Sequence, residues 1–375
     1  MQAVVTDNAA NVTAAVRTAG LTHLFCFAHT LNLVVQNGLQ VVKQLQEKVK
    51  LIVAYFHRST VAADKLRALQ LQMRPDFNAV KLKNDVVTRW NSTYYMFRRI
   101  ADVREPVEAA IAVLHKPVEA LSTDEWTVLE EVCKVLRPFE LVTTEISSEK
   151  SMTVSKVIVL VRGLKSACQK IQATVKTAAA QQLINTIYDE LKRRFANCEM
   201  NLTLARATFL DPRFKKLGFS SDAAFANRHV RDKVKDTLAN SWAANDSSGA
   251  REPMTQTPVL STATADDDLI WDDFDRRMSS VMVTPSSSAI IEVHQFVEEP
   301  NTGRHEDPLL WRRSTQVLYP GLAKMAKCQL CMLATSLPSE RVFSKSGQLI
   351  CERRTRLTAK NVQMIMYLNG NADKM

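Results

Sequence analysis

Acidic side chains are this chain's candidates for holding divalent ions, and two of them, Asp7 and Glu340, stand at the boundaries of local patterns near opposite ends of the chain. Asp7 closes the short apolar run Ala3-Val4-Val5-Thr6, and Glu340 follows Pro338 at the start of a helical pattern, where the helix dipole favours its ionised form. Hard divalent ions such as Mg²⁺ or Mn²⁺ take oxygen ligands. A two-metal phosphoryl-transfer site places its ions about 4 Å apart. The bland alternatives are a helix N-cap for Asp7, ahead of Asn8, and a surface carboxylate in a first helical turn for Glu340.

Cys26-x2-His29 and Cys328-x2-Cys331 have the spacing of zinc ligands. Against that, Cys331 precedes an apolar run, and a packed cysteine beside a hydrogen-bonded histidine explains the first pair. Arg89-Trp90 is a candidate nucleic-acid contact, because an indole stacks on an unpaired base for roughly 1–3 kcal/mol while an adjacent arginine holds phosphate. Trp90, Tyr94 and Phe97 nevertheless share one helical face, which is core spacing.

The elements that must position these groups fall into two styles. Up to about residue 40 the pattern is strand–helix–strand–helix: a strand at Ala3–Thr6, a helix from Asn8 to Arg17 stopped at Gly20, a buried strand at His23–Phe27, and a helix from Ala28 onward. Such alternation implies a parallel sheet. From about 40 to 242 the period is helical, beginning with Val42, Leu45, Val49, Ile52 and Phe56, and Ser122-x-x-Glu125 reads as a capping box before Trp126. Asp211-Pro212 breaks that pattern with a turn. Residues 243–290, rich in Ser, Thr, Asp and Pro, read as a disordered linker in which Trp271 and Phe274 could form a short docking helix. From Trp311 to Leu330 a helical pattern returns, followed by a helix opened by Pro338 and ended by Gly347, and a last one capped by Thr358.

The chain has 375 residues, a net charge of +10 and 46% hydrophobic residues. This is ample for a sizeable core, and the charge suits either a polyanionic partner or simple solubility. Seven scattered cysteines are not a secreted disulfide framework. No stretch approaches the roughly 18 apolar residues of a membrane span, and no charged-then-apolar leader opens the chain.

Four separated blocks then carry a resemblance. They are Val5-Thr6-Asp7-Asn8-Ala9-Ala10-Asn11, Cys26-Phe27-Ala28-His29-Thr30-Leu31-Asn32-Leu33, Thr88-Arg89-Trp90-Asn91-Ser92-Thr93-Tyr94 and Ala334-Thr335-Ser336-Leu337-Pro338-Ser339-Glu340-Arg341-Val342-Phe343-Ser344. In this order they resemble the hAT transposase superfamily, including the zinc finger BED domain-containing proteins derived from it. The segment Ala207–Lys215 resembles a further element of that family.

The resemblance implies an α/β, mostly helical fold: an incomplete RNase H-like core interrupted by a large all-α insertion. The implied domains are a partial core at 1–40, a helical insertion at 41–242, the linker at 243–290, and a C-terminal dimerisation region at 291–375 that completes the core. Asp7 and Glu340 match the second and third catalytic carboxylates, and would hold Mg²⁺ or Mn²⁺. The first, with the antiparallel strands around it and a zinc-binding BED finger, would lie upstream of Met1. Asp85 is not a substitute, since it precedes the insertion motif. Two ligands of three imply vestigial carboxylates and no enzyme activity, and the alternative is part of an active cut-and-paste transposase.

By the same resemblance Arg89, Trp90 and His29 would contact DNA, and the Cys328 pair is not expected as a ligand set. The apolar residues Val342, Phe343, Leu357, Val362, Ile365 and Met366 would form the seam of a homodimer or higher oligomer. Arg341, Lys345, Arg353, Arg354, Arg356 and Lys360 would be either phosphate contacts or a solvated rim around it. The implied setting is the nucleus, with DNA as partner in the complete form and neither membrane nor small-molecule substrate. Without its antiparallel neighbours, the strand Ala3–Thr6 would leave an open edge.

Overall fold

Val4–Thr6 (β1) and His23–Phe25 (β2) pair in parallel, with Val4 opposite His23 and Thr6 opposite Phe25. Helix α1 (Ala10–Thr18) makes the crossover that parallel strands require. These elements come from a computed structural model that describes residues 3–114, 118–147, 152–220, 224–247, 284–350 and 357–372. The remainder of the architecture is helical, and β1–β2 is the only sheet among the described residues. The chain forms two compact units, one of residues 1–197 with 332–375 and the other of residues 198–331. These divisions differ from the expected boundaries at 40, 242 and 290.

In the first unit, α2 (Phe27–Leu39) is the central element. It buries Phe27, Leu31, Val34, Val35 and Leu39 and packs on α9 (Ala178–Arg194). Gly38 permits the close approach, because a Cβ there would collide with the Ile187 side chain. Phe195 closes the sheet side, its ring 5.3 Å from Phe27 and 6.0 Å from Phe25. Helix α3 (Lys43–Arg58) is followed by α4 (Thr60–Met73), α5 (Trp90–Asp102), α6 (Arg104–Leu114), α7 (Thr123–Ile146) and α8 (Val157–Gln172). The amphipathic spacing of α3 resolves as expected, with Leu45, Val49, Ile52 and Phe56 inward.

The expected capping box forms at the start of α7: Ser122 Oγ accepts from Glu125 N–H and Glu125 Oε2 accepts from Ser122 N–H. About two turns further along α7, buried Glu131 accepts from the Lys176 and Thr177 backbone N–H groups at 2.8 and 2.9 Å, satisfying donors ahead of α9.

The second unit is built from α10 (Leu202–Leu210), α11 (Ala224–Ser247), α12 (Pro285–Glu298), α13 (Pro308–Thr315) and α14 (Pro320–Leu330). Helices α11 and α12 pack together, so residues 243–247 and 285–290 are helical where a linker was expected. Trp271 and Phe274 lie outside the described residues. The helix anticipated through Trp311–Leu330 is two helices, because Pro320 has no N–H to continue the first and suits the opening of the second.

The Asp211-Pro212 turn ends α10, and Asp211 pairs with Arg213 through two hydrogen bonds of 2.9 and 2.7 Å. Lys215, fully buried, donates to the Phe296 and Glu299 carbonyls at 2.8 Å each and caps the end of α12.

Residues 332–375 return to the first unit, where Ala334 N–H donates to Thr153 Oγ1 at 2.8 Å. Helix α15 (Leu337–Leu349) has Pro338 in its first turn, as expected, but runs through Gly347 rather than stopping there. Helix α16 (Ala359–Asn371) begins at the anticipated cap, Thr358 Oγ1 accepting from Asn361 N–H.

Candidate nucleic-acid interface

The four sequence blocks meet around the first turns of α2. The first block joins the second through the β1–β2 ladder and through a 2.7 Å bond between Thr6 Oγ1 and His23 Nε2. The third joins it where Trp90 N–H donates to Asn32 Oδ1 at 3.2 Å. The fourth joins it where Phe27 N–H donates to the Ala334 carbonyl at 2.8 Å. Cys26 links them further, its Sγ accepting from His29 N–H and from Ser336 N–H at 3.4 Å each. Cys26 thus caps α2 and holds the loop before α15, which accounts for its burial.

Asp7, Asn8, Ala9, Phe25, His29, Thr30, Leu33 and Arg194 line a shallow cavity of about 550 Å³ beside this junction. Asp7 is exposed and sits in the turn after β1. It is not the N-cap of α1, which starts at Ala10; its Oδ1 instead accepts from Ala9 N–H at 3.2 Å. Asn8 takes φ of +68°, a left-handed conformation that Asn tolerates better than most residues, and so the chain turns before the helix begins. The His29 imidazole is half-buried, and no hydrogen bond to it is made among the described residues.

Glu340 lies in the same compact unit as Asp7 but is not part of that cavity's wall. Its Oε1 accepts from Ser336 Oγ at 2.7 Å, within its own first helical turn. Among the described residues no three His, Cys, Asp or Glu side chains gather as a metal-ligand group. Hard-metal phosphoryl transfer needs a fuller oxygen shell than these two carboxylates offer, so the described residues do not fit a two-metal centre. Cys328 and Cys331 make only a local contact, Cys331 Sγ donating to the Cys328 carbonyl at 3.2 Å.

Trp90 is 2% exposed and packs beside Tyr94 with ring centroids 6.5 Å apart. Its ring therefore belongs to the helical core in this arrangement, while Arg89, at the N-cap of α5, is exposed. The block around it organises Asp85, whose side chain is 2% exposed. Asp85 accepts from Ser92 Oγ at 2.6 Å, Thr93 Oγ1 at 2.9 Å and Gln46 Nε2 at 3.0 Å, and pairs with Lys50 at 3.1 Å. Burial alone would raise its carboxyl, but the hydrogen bonds from Ser92, Lys50, Thr93 and Gln46 prevail and hold it below the ordinary carboxylate range.

A larger cavity, about 1230 Å³, runs along α3 past Lys43, Glu47, Lys48, Arg58 and Glu119. None of its lining residues falls in the converging blocks, and Lys48 there is already paired with Glu119 at 2.6 Å and Glu125 at 2.8 Å.

Helices α15 and α16 bury no residue. Val342 is 53% exposed, Phe343 74% and Ile365 38%, with Leu357, Val362 and Met366 half-buried beside them. Lys345 Nζ donates to Asn369 Oδ1 at 2.9 Å, tying the two helices together. Arg341 reaches the Ser147 carbonyl, Lys360 is exposed, and Arg353, Arg354 and Arg356 lie outside the described residues.

Asp85, Glu131 and Arg194 are the polar residues whose positions sequence reasoning missed. Nothing in local spacing marks Arg194 as a neighbour of Asp7, since 187 residues separate them.

Comparison with known proteins agrees with the blocks. Residues 24–135 match the ZBED1 RNase-like helical domain, and residues 292–372 match the hAT family C-terminal dimerisation region. Human zinc finger BED domain-containing protein 4 is 24% identical over 92% of this chain and 29% of its own length. Human zinc finger BED domain-containing protein 6 is 24% identical over 98% and 40%. A putative AC transposase of Zea mays is 25% identical over 92% and 43%. The chain thus spans less than half the length of these relatives. It is a transposase-derived relative of the hAT transposases and zinc finger BED domain-containing proteins, and it carries the hAT dimerisation region. No helix among the described residues is long and apolar enough to cross a membrane.

Proposed function

We propose that this chain is the dimerising, DNA-binding body of a nuclear transposase-derived protein that does not cut DNA. In this reading β1, α1 and β2 belong to an RNase H-like core, the helices from α3 onward are its insertion, and Asp7 and Glu340 are vestigial. The single observation that carries it is the apolar surface of α15 and α16, where Val342 and Phe343 stand in solvent inside the segment matched to a dimerisation region. Apolar faces of this kind mark partner surfaces, and a second copy of the same segment satisfies them. The net charge of +10 supports a polyanionic partner.

Sedimentation velocity on the whole chain tests the pairing. Wild type should sediment as a dimer or larger, and Phe343→Asp should shift it to monomer with an unchanged circular dichroism spectrum. A monomeric wild type at micromolar concentration would sink the proposal.

A second reading, part of an active cut-and-paste transposase, is favoured by the bond chain from Cys26 through Ser336 to Glu340, which ties the residues around Glu340 to the start of α2. Nicking of a DNA duplex that requires Mg²⁺ or Mn²⁺ and disappears in Glu340→Gln would establish it in place of the inactive reading.

A further inference from the structure

Helix α3 carries two stripes along its length. One is the core face of Leu45, Val49, Ile52 and Phe56. The other lines the larger cavity with Gln44, Glu47, Lys48, Leu51, Tyr55 and Arg58. These positions recur at three- and four-residue intervals, so they form one continuous face of the helix. Leu51 stands near its middle, 67% exposed, with Ala54 and Tyr55 half-buried beside it. Val118 and Glu119, just ahead of α7, line the same cavity.

The charges on this face are not equivalent. Glu47 pairs with Lys50 at 3.0 Å and Glu119 with Lys48 at 2.6 Å, so both lining carboxylates are already neutralised. The side chains of Lys43 and Arg58 also line the cavity, and they make no ion pair or hydrogen bond among the described residues. They lie four helical turns apart, about 22 Å along the axis. The face thus has an apolar centre between two unpaired cations.

We infer that this face docks an amphipathic helix of another protein, with apolar residues over Leu51 and Tyr55 and a carboxylate near each of Lys43 and Arg58. A helix laid along a helix meets it through anchors at i, i+3 or i+4 and i+7, which is the spacing of the α3 stripe. The matching carboxylates stand about fifteen residues apart on the partner. A nucleic-acid strand fits less well, because its closely spaced phosphates would run past Glu47 and Glu119 while Leu51 offers them nothing. The face also lies outside residues 292–372, so it is separate in sequence from the segment matched to a dimerisation region. It depends on neither the pairing nor the DNA-binding reading.

Fluorescence anisotropy with the full chain tests this, using a labelled synthetic peptide about eighteen residues long with leucines on one helical face and a glutamate near each end. Wild type should bind it in the micromolar range, and Leu51→Asp should weaken binding about tenfold or more. Leu71, an exposed leucine of α4 outside the cavity, is the matched control, and Leu71→Asp should change affinity about twofold or less. Lys43→Glu combined with Arg58→Glu should reject this peptide and accept one ended in lysines, a reversal that also shows the variant is folded. No binding by wild type, or equal losses in Leu51→Asp and Leu71→Asp, would overturn the inference. Displacement of the peptide by a DNA oligonucleotide whose own binding is lost in Lys43→Glu with Arg58→Glu would overturn it in favour of nucleic acid. Slower sedimentation of Leu51→Asp than of wild type would give the face to a second copy instead.

Discussion

Removing the Asp85 carboxylate would take a shared acceptor from Ser92, Thr93, Gln46 and Lys50 at once, leaving Lys50 with Glu47, Gln46 with Thr93 and Ser92 with the Val86 and Arg89 carbonyls. Unpaired groups left in a buried site cost more than the bonds contribute when made. Asp85→Ala is expected to lower stability by about 2–4 kcal/mol in a urea titration, with Asp85→Asn recovering part of it. The pH dependence follows from the direction of the shift. The folded carboxyl lies below its ordinary value of 3.8, so its contribution is complete above that value and fades as pH falls through the folded pKa. Stability at pH 7 and at pH 5 should therefore show the same loss in Asp85→Ala, and the wild-type advantage should shrink only below about pH 4. At this scale the resemblance sets Asp85 apart from the expected carboxylates, but its structural role depends on donors 39 residues earlier and seven to eight residues later, which no local pattern announces.

Local signals set most helix starts correctly because a cap is a contact within three residues. Ser122, Thr358 and Pro338 all act where their spacing places them. Ser122→Ala should cost about 1 kcal/mol by thermal or chemical denaturation, while Glu125→Ala should cost more, because Glu125 also holds Lys48 at 2.8 Å. Equal effects of the two would mean that the Lys48 bond adds nothing. Stops were less legible. Gly347 lies in open space within α15, so no packing demand ends the helix there. The ends of residues 243–290 are helical because α11 and α12 pack on each other, a tertiary gain that composition does not encode. The Asp7 turn misled for a related reason: Asn8 can adopt a left-handed backbone and delays α1 by two residues. The cavity wall was only half readable, since Asp7 and His29 sit in recognisable blocks whereas Arg194 arrives through α9 from a distant part of the chain.

For the molecule as a whole, α15 and α16 expose several large apolar side chains inside the segment matched to a dimerisation region, so its stability should depend on its own concentration. A partner that binds only the folded state stabilises it by mass action, and the melting temperature then rises with protein concentration. Neither α15 nor α16 buries a side chain, which leaves their apolar faces dependent on whatever covers them. Over a hundredfold range of concentration, wild type is expected to gain several degrees in melting temperature, on the order of the shift that one or two kcal/mol produces. Phe343→Asp should remove that dependence and melt at about the temperature of dilute wild type. Scanning calorimetry at two protein concentrations decides the matter: a concentration-independent wild type would mean that α15 and α16 are stable without a second copy, and that their exposed faces serve some other partner.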